Sequence, residues 1–394
     1  MSGPRTSAGT APGAGERILV TGATGFLGRQ IMRALLDRFP AATLRLLIRP
    51  KGSRCAEERA QELLRRVGAD TASALDSSRV EALSGDVSLP RCGLAAERYA
   101  RVVGDTTRVV HAAASVRFDL PLNAARAINV EGARNILALA EDAHAGGALR
   151  SLVYVSTAYV AGERAGLVLE DELDMGQGFR NSYEKTKCEA EKLVRARAGA
   201  LPVAILRPSI IVGDSQTGIT TSFKTLYWPL KAYARWHWRL VPGLPDTVVD
   251  VVPVDFVAQA VACLALDEAA VGKSAHLCAG LKGSLRLDDM TRLVGDFFRL
   301  PPPRLVNPTL FTALIRPLLF LSAWGAKRRV LREGWIYRPY LRMRLVFDTR
   351  NADALLARHN LRPPHVSDYL ERILRYCVES DWGRAPVPVE RQQN

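Results

Sequence analysis

A glycine-rich turn between an apolar run and an amphipathic segment constrains this chain more than any other feature of its sequence. The letters TGATGFLG occupy residues 21–28, directly after the apolar run Ile18–Val20, and apolar residues at helical spacing follow. Glycines at such a turn let the backbone bend sharply and approach a pyrophosphate without Cβ atoms in the way. The helix that follows offers unpaired N–H groups and a partial positive charge to the phosphates. The turn therefore predicts a dinucleotide-binding site, although a glycine triplet alone also suits any tight strand-to-helix turn.

The predicted cofactor contacts extend from this turn to the next strand. Within the turn they are Thr21, Gly22, Thr24, Gly25, Phe26, Leu27 and Gly28. The second predicted strand, residues 44–48, is followed by Arg49, and no carboxylate occupies that place. An acidic residue about 20 positions beyond the glycines usually meets a free ribose 2′-hydroxyl, whereas arginine meets a 2′-phosphate, so Arg49 predicts NADPH rather than NADH. Arg59 is a second candidate for the same phosphate, with a solvated helical arginine as the alternative.

Short apolar strands alternate with amphipathic helices from residue 16 to about 215. The strands are predicted at 18–20, 44–48, 80–84, 108–111, 151–155 and 203–207. This alternation is typical of an α/β fold, and we predict a doubly wound parallel Rossmann sheet with helices on both faces. Residues 16–215 would form an NADP-binding Rossmann domain, completed by a strand and a helix at about 248–280.

The remaining segments differ in composition from this alternating region. Residues 1–15 are rich in Ser, Gly, Pro and Ala and are predicted to be a disordered leader. Residues 216–247 and 281–394 are predicted to form a smaller, mainly helical C-terminal substrate lobe. Within it, the apolar segment Leu310–Trp324 is too short to span a bilayer. This segment either packs inside the lobe or lies on a membrane surface, with the basic residues 327–329 at its end.

Two further strand ends carry candidate cofactor contacts, because ligands gather at the carboxyl ends of parallel strands. After the third predicted strand, Asp86 and Val87 are placed to meet the adenine. After the fourth, the small side chains of Ala113 and Ala114 leave room for the central ribose and the phosphates. For both pairs of residues, an ordinary strand-exit turn is the alternative.

A tyrosine and a lysine in the string SYEKTKCEAE provide candidate catalytic groups. Tyr183 and Lys187 are four residues apart, so on a helix they lie one turn apart on the same face. A nearby ammonium favours the phenolate and lowers a tyrosine pKa from about 10 toward neutrality, which suits a proton donor to a reduced carbonyl. The strand at 151–155 ends in Ser156 and Thr157, and either hydroxyl could hold the carbonyl oxygen. Together with the glycine turn, these groups predict nicotinamide chemistry at a carbonyl.

Composition and charge narrow the functional classes. The chain has 394 residues, 48% of them hydrophobic, which is enough for a large core. Its net charge of +14 suits anionic partners, such as a phosphorylated cofactor, a coenzyme A or carrier-protein thioester, or an acidic membrane face; an arginine-rich compositional bias is the alternative. The sequence carries no nucleic-acid-binding motif, which predicts no nucleic-acid partner. Six cysteines match no zinc spacing, which predicts reduced thiols, no metal site and a cytoplasmic protein.

These motifs, in this order, resemble those of the extended short-chain dehydrogenases/reductases, and within them the thioester reductase and fatty acyl-CoA reductase group related to the male-sterility proteins. The resemblance covers about residues 16–280 and rests on the strings TGATGFLG, GDVSLP, HAAASVRFDLPL, NVEGARNIL, VSTAYVAG, SYEKTKCEAE, LRPSIIVG and DVVPVDFVAQAV. It implies that Thr157 rather than Ser156 is the catalytic hydroxyl. It also implies that Lys187 bonds the nicotinamide ribose and that Pro208 begins a loop beside the nicotinamide ring.

The function that the resemblance implies is an NADPH-dependent reductase of a hydrophobic acyl thioester, on coenzyme A or an acyl carrier protein, or of a fatty aldehyde. Its expected catalytic trio is Thr157, Tyr183 and Lys187. The chain lacks adenylation and carrier domains, so we expect the thioester to arrive on a separate carrier. Two alternatives share the same sequence features: an NADP-dependent dehydrogenase of a sterol, sugar or hydroxy acid, and a non-catalytic NADPH-sensing scaffold. The presence of all three catalytic residues disfavours the sensing scaffold, because a sensor does not need catalytic residues.

Overall fold

The computed structural model of the chain describes residues 13–68, 79–236, 239–322, 325, 340 and 343–385. The strands are β1 (Arg17–Thr21), β2 (Thr43–Ile48), β3 (Val80–Ser84), β4 (Arg108–His111), β5 (Ser151–Val155), β6 (Gly166–Val168), β7 (Val203–Pro208), β8 (Ile210–Val212), β9 (Leu240–Pro242), β10 (Val248–Val249), β11 (Val251–Pro253), β12 (Ser274–Leu277), β13 (Leu285–Arg286), β14 (Arg304–Val306) and β15 (Leu345–Phe347). The helices are α1 (Phe26–Arg38), α2 (Ala56–Gly68), α3 (Ala96–Asp105), α4 (Leu122–Ala145), α5 (Ser182–Arg195), α6 (Tyr227–Trp236), α7 (Val254–Ala265), α8 (Gly280–Gly283), α9 (Leu287–Phe298), α10 (Pro308–Leu310), α11 (Arg316–Ser322), α12 (Arg350–Ala357) and α13 (Val366–Glu379). A π-helical turn, Phe311–Ile315, joins α10 to α11.

Seven of the strands form one parallel sheet in the spatial order β12-β7-β5-β4-β1-β2-β3. From β1 the chain moves outward to β2 and β3, and then returns to place β4 on the other side of β1. Such a reversal leaves a crevice between the carboxyl ends of β1 and β4, where ligands bind in open α/β sheets. The predicted doubly wound parallel sheet is confirmed, and β12, which lies within the segment at about 248–280, completes it.

Helices cover both faces of the sheet because its strands present apolar side chains to both. Within β1, Ile18 and Val20 contribute to the core on one face and Leu19 to the core on the other, as the alternation of side chains along a strand requires. Residues of α1, α2 and α7 belong to the first core, and residues of α3, α4 and α5 belong to the second. These two cores fix the carboxyl ends of the strands, at which the candidate site lies.

A third apolar core lies in the C-terminal part of the chain. It contains residues of α6, α9 and α13, among them Tyr227, Met290 and Ile373. Four two-stranded sheets, β6–β15, β8–β11, β9–β14 and β10–β13, connect segments that are distant in sequence. The sequence predicts the helices of this lobe but not these sheets, because strands of two or three residues are too short to show a periodic pattern.

The apolar segment predicted at 310–324 is helical from Pro308 to Ser322. Its Phe311 is buried, whereas Leu314 and Leu318 are exposed, so only one side of the helix packs inside the lobe. Trp324, the basic residues 327–329 and residues 1–12 of the predicted leader lie outside the described residues. None of the helices in the described part of the chain combines the length and apolar character needed to cross a membrane.

Candidate active site

Two glycines of the turn occupy positions that a side chain does not fit. Gly22 has φ +78°, and a Cβ there would lie 2.7 Å from the backbone of Ala112, at the exit of β4. A Cβ on Gly28 would lie 2.0 Å from the carbonyl oxygen of Gly22, so α1 packs this close to the turn only with glycine at that position. Gly25 is the N-cap of α1, and no described side chain caps the helix, which leaves its first N–H groups available to a phosphate.

A cleft of about 710 Å³ joins the glycine turn to α5 at the carboxyl edge of the sheet. The predicted site residues that line it are Gly22, Gly25, Phe26, Leu27, Gly28, Ala114, Thr157, Tyr183, Lys187 and Pro208. The structure thus brings the predicted phosphate-binding turn and the three predicted catalytic groups into one cavity. This cavity lies where the strand order reverses, as the fold class requires of a ligand site.

Other predicted cofactor contacts lie outside the described lining of this cleft. Thr24 is exposed at the tip of the turn. Thr21 is fully buried, and its hydroxyl lies 2.8 Å from Nδ1 of His111 and accepts a hydrogen bond from the N–H of Ala113 at 3.2 Å. Val87 is buried against α4. The side chains of Thr21 and Val87, and the backbone of Ala113, therefore hold the loops that surround the cleft in place.

Arg49, Arg59 and Asp86 form a separate cluster at the ends of β2 and β3. The Arg49 side chain is 66% exposed and lies 3.5 Å from the Asp86 carboxylate, and Arg59 donates a hydrogen bond to the Arg49 carbonyl. Partial burial acts to raise the pKa of Asp86, but hydrogen bonds from Ser88 and the charge of Arg49 outweigh it, and the pKa is lowered. The cluster therefore presents an exposed guanidinium beside an ionised carboxylate.

Helix α5 carries the two candidate groups of the YxxxK string, as predicted. Asn181 caps the helix by accepting a hydrogen bond from the N–H of Glu184 at 3.0 Å. Tyr183 and Lys187 follow one turn apart and both line the cleft. The cap fixes where the helix begins, and so determines the height of the phenol above the sheet edge.

The two hydroxyls that follow β5 have different partners. The Thr157 hydroxyl acts to lower the pKa of the Tyr183 phenol, which lines the same cleft, and it donates a hydrogen bond to the Pro208 carbonyl at 3.4 Å. The Ser156 hydroxyl instead donates to the buried Glu191 carboxylate at 2.6 Å. Thr157 is therefore the hydroxyl that acts on the candidate proton donor, and its catalytic role stays a prediction.

The ammonium of Lys187 is held by β5 rather than by Tyr183. It donates to the Tyr154 hydroxyl and to the Val155 carbonyl, each at 2.9 Å. Burial lowers the pKa of Lys187 to about 7, and burial raises the pKa of Tyr183 to about 12 despite the opposing effect of the Thr157 hydroxyl. The prediction that Lys187 lowers the Tyr183 pKa toward neutrality is therefore wrong for this arrangement, because desolvation of the phenol is the larger effect.

The neighbours of Lys187 keep fixed charges near neutral pH. Glu191, one turn further along α5, forms a fully buried ion pair with Arg207 at 2.6 Å. Burial acts to raise the pKa of Glu191, but the charge of Arg207 outweighs it and the pKa is lowered. Burial, with a smaller effect of the Lys187 charge, lowers the pKa of His111 to about 3, so its ring is neutral. Lys187 is thus the group in this cluster that changes charge near neutral pH.

Aromatic residues that the sequence did not single out complete the wall beside Tyr183. The Phe118 ring stacks on Tyr183, with centroids 5.7 Å apart, and on Tyr340, with centroids 5.5 Å apart. The Tyr340 hydroxyl donates to the Glu184 carboxylate at 2.6 Å, which ties a distant part of the chain to the first turn of α5. Tyr159 meets Tyr340 edge-on at 5.6 Å. Phe118 and Tyr159 lie in two of the motif strings, whereas Tyr340 lies beyond residues 16–280, in a C-terminal stretch whose sequence resembles acyl reductases only loosely.

A second, apolar cavity of about 190 Å³ adjoins the cleft behind these rings. The residues that line both cavities are Tyr159, Ile210, Thr225 and Tyr340. Its other walls come from α6, β9, β10, α9 and the π-helical turn, and most of the side chains are apolar. The carboxylate of Asp250 also lies in the wall and accepts hydrogen bonds from the N–H groups of Ala279 and Gly280, each at 2.9 Å. The cleft therefore has a hydrophobic extension beside the Tyr183–Thr157 pair.

Comparison with known proteins places the chain in a family, and several of its relatives are named as reductases. The family model described as "Male sterility protein" matches residues 20–261. The fatty acyl-CoA reductase wat of Drosophila melanogaster is 31% identical over 281 residues, which cover 64% of this chain and 54% of that protein. The glycine betaine reductase ATRR of Emericella nidulans is 32% identical over 258 residues, which cover 64% of this chain and 20% of that protein. The chain thus spans little more than half the length of the first of these relatives and a small part of the second.

Solved structures agree with this placement over nearly the whole chain. The terminal R domain from the myxalamid PKS-NRPS biosynthetic pathway has a TM-score of 0.79 and 27% identity, and the match covers 95% of this chain and 93% of that one. The reductase (R) domain of a nonribosomal peptide synthetase from Mycobacterium tuberculosis shares the fold, with a TM-score of 0.69, 22% identity and coverage of 95% and 94%. The family match spans more than half of the chain and includes the glycine turn, Thr157 and α5. The chain therefore belongs to the male sterility protein family, within the extended short-chain dehydrogenases/reductases.

Proposed function

We propose that this chain is an NADPH-dependent reductase of hydrophobic acyl thioesters, or of the aldehydes that correspond to them. The observation that carries the proposal is that the glycine turn, the Tyr183–Thr157 pair and an apolar cavity adjoin one another. The relatives' names agree with it, since they include a fatty acyl-CoA reductase and the R domain of a PKS-NRPS pathway. A sugar or a short hydroxy acid would leave the apolar extension without a role.

The residues present fit a nicotinamide dinucleotide phosphate. The uncapped start of α1 and the close approach that Gly22 allows suit a pyrophosphate, and the exposed guanidinium of Arg49 suits a 2′-phosphate. Lys187 donates two hydrogen bonds to β5, and an ammonium has a third, which suits a ribose hydroxyl at the cleft wall. When bound there, the cofactor supplies the hydride that reduces a carbonyl carbon.

Thr157 and Tyr183 are the groups that would hold the substrate oxygen. Both residues line the cleft, so a carbonyl oxygen placed beside both hydroxyls receives two donors as negative charge develops on it. Because its pKa is raised to about 12, Tyr183 holds its proton at neutral pH and can pass it to an alkoxide, which is the stronger base. With a thioester, the tetrahedral oxyanion instead collapses to an aldehyde and expels the thiolate.

The apolar cavity would take the acyl chain. Transfer of a methylene group from water to an apolar site contributes about 0.8 kcal/mol, so a chain of several carbons gains most of its affinity there. Tyr159 and Tyr340 line both cavities, so an acyl chain in the apolar cavity would leave its carbonyl end in the cleft that holds Tyr183. Lys224, exposed at the lining of the cleft, suits a phosphate of coenzyme A or of a carrier's phosphopantetheine arm.

NADPH oxidation measured with a long-chain acyl-CoA, the matching acyl carrier protein thioester and the fatty aldehyde tests the proposal. We expect turnover with at least one of them, a preference for NADPH over NADH, and loss of turnover in Tyr183→Phe. If no NADPH oxidation occurs with any of the three substrates and the protein oxidises a secondary alcohol with NADP, it is a dehydrogenase of a sterol, sugar or hydroxy acid instead.

A further inference from the structure

Four leucines form an exposed apolar face on the helical segment Pro308–Ser322, which we name the leucine face. They are Leu310, Leu314, Leu318 and Leu321, with exposed fractions of 49%, 59%, 67% and 77%. Their spacing of four, four and three residues places them along one side of the helix. At 1.5 Å per residue the face is roughly 16 Å long. Contiguous exposed apolar surface of this kind marks an interaction site rather than an ordinary solvated surface.

The opposite side of the same helix lines the apolar cavity. Phe311, Thr312 and Arg316 contribute to the cavity wall, and none of the four leucines does so within the described lining. The segment is therefore a wall one helix thick, with an apolar cavity inside and leucines outside. Because this helix is apolar on its outer side as well as toward the cavity, we expect its outer side to contact another apolar environment.

The surroundings of the leucine face are basic. Outside the cavity wall, residues 297–322 contain two arginines, Arg299 and Arg304, and no aspartate or glutamate. Residues 215–245 contain four lysines and arginines and no acidic residue, and one of the four, Arg235, pairs with Asp381. The two segments meet where the N–H of Arg304 donates to the carbonyl of Arg239 at 2.6 Å, and both of these arginines are exposed. Strand β14, which begins at Arg304, leads directly into the helix that carries the leucines.

We propose that the leucine face binds the surface of a bilayer containing anionic lipids, with the helix lying in the plane of the interface. A row of leucines beside arginines, in segments without carboxylates, is the pattern of an interfacial helix, in which apolar burial and attraction to anionic headgroups act together. A continuous row of this length fits an extended apolar phase better than the small, mostly polar docking site of a carrier protein. Binding in this way brings the acyl cavity within one helix thickness of the lipid chains.

Co-sedimentation of the purified full chain with vesicles tests the proposal. The two vesicle types are phosphatidylcholine alone and phosphatidylcholine with phosphatidylglycerol. The test variant is Leu314→Glu/Leu318→Glu, and the control is Leu281→Glu, whose leucine is 72% exposed on α8, outside the face. We expect wild type and control to bind the anionic vesicles, less so at high salt, and the double variant to bind at least about 10-fold more weakly. Circular dichroism and thermal unfolding verify that all three proteins are folded.

Each other outcome overturns the lipid proposal. Wild type that binds neither vesicle type refutes it, as does a double variant that binds as well as the control. If the double variant loses turnover with an acyl carrier protein thioester but keeps it with the same acyl-CoA, and vesicles are not bound, the leucine face is a protein-docking surface. Vesicle binding requires no turnover, so failure here is distinguishable from failure of the proposed reductase function.

Discussion

Lys187 makes the free energy of unfolding depend on pH in a way that one substitution isolates. Burial lowers its pKa from 10.5 to about 7, so between these two values the unfolded chain binds a proton that the folded protein does not. The free energy of unfolding must therefore rise with pH across this window. The slope reaches about 1.36 kcal/mol per pH unit above the folded-state pKa and is smaller close to it. The total rise in the free energy of unfolding between roughly pH 7 and pH 9 is therefore about 2 kcal/mol.

Lys187→Met removes the titrating group, and urea unfolding at several pH values measures the effect. The substitution also removes the hydrogen bonds to Tyr154 and Val155, but that cost does not change with pH and leaves the slope unaffected. From roughly pH 7 to pH 9, we expect the free energy of unfolding of wild type to rise by about 2 kcal/mol relative to that of the variant. Lys185→Met is the control for loss of a lysine on the same helix. Parallel curves for wild type and Lys187→Met would show that burial does not lower the pKa of Lys187, and the reasoning from desolvation would fail.

Three further substitutions test the roles of the site residues. Tyr183→Phe should lower kcat by roughly 10²- to 10⁴-fold while NADPH binding, followed by nicotinamide fluorescence, changes by less than about 2-fold; full biological activity in this variant would favour the sensing scaffold. Thr157→Val should lower kcat by about 10-fold or more. The neighbouring Ser156→Ala should retain turnover, but its free energy of unfolding in urea should fall by about 1–3 kcal/mol because the buried Glu191 loses its hydroxyl partner. Arg49→Gln should raise the KM for NADPH by about 10-fold and leave the KM for NADH unchanged, since only NADPH carries a 2′-phosphate. An equal change in both KM values would contradict the role of Arg49 in binding this phosphate.

The sheet could be predicted from the sequence because parallel strands bury both faces and therefore appear as short apolar runs. Ile18–Val20 and the glycine turn after it fix the first strand, the first helix and the turn between them without any distant information. The helix that carries Tyr183 and Lys187 was also predictable, since its pattern is local.

What the sequence could not supply depends on contacts between distant segments. Tyr340 reaches the first turn of α5 across more than 150 residues, and no periodic pattern indicates such a pair. The partner of Ser156 is Glu191, 35 residues away, so residue type alone left the two hydroxyls after β5 equivalent. The direction of the Tyr183 pKa shift was predicted wrongly because burial, which depends on the packed structure, outweighs the neighbouring charge.

The most direct test of the proposed function follows the hydride itself. NADPH carrying deuterium at the transferable C4 position is incubated with the protein and a long-chain acyl thioester, and the product is analysed by mass spectrometry. We predict deuterium on carbon 1 of the aldehyde or alcohol product with wild type, and at least about 100-fold slower formation of that product with Tyr183→Phe. Product without deuterium, or unreacted thioester in the presence of bound NADPH, would contradict it.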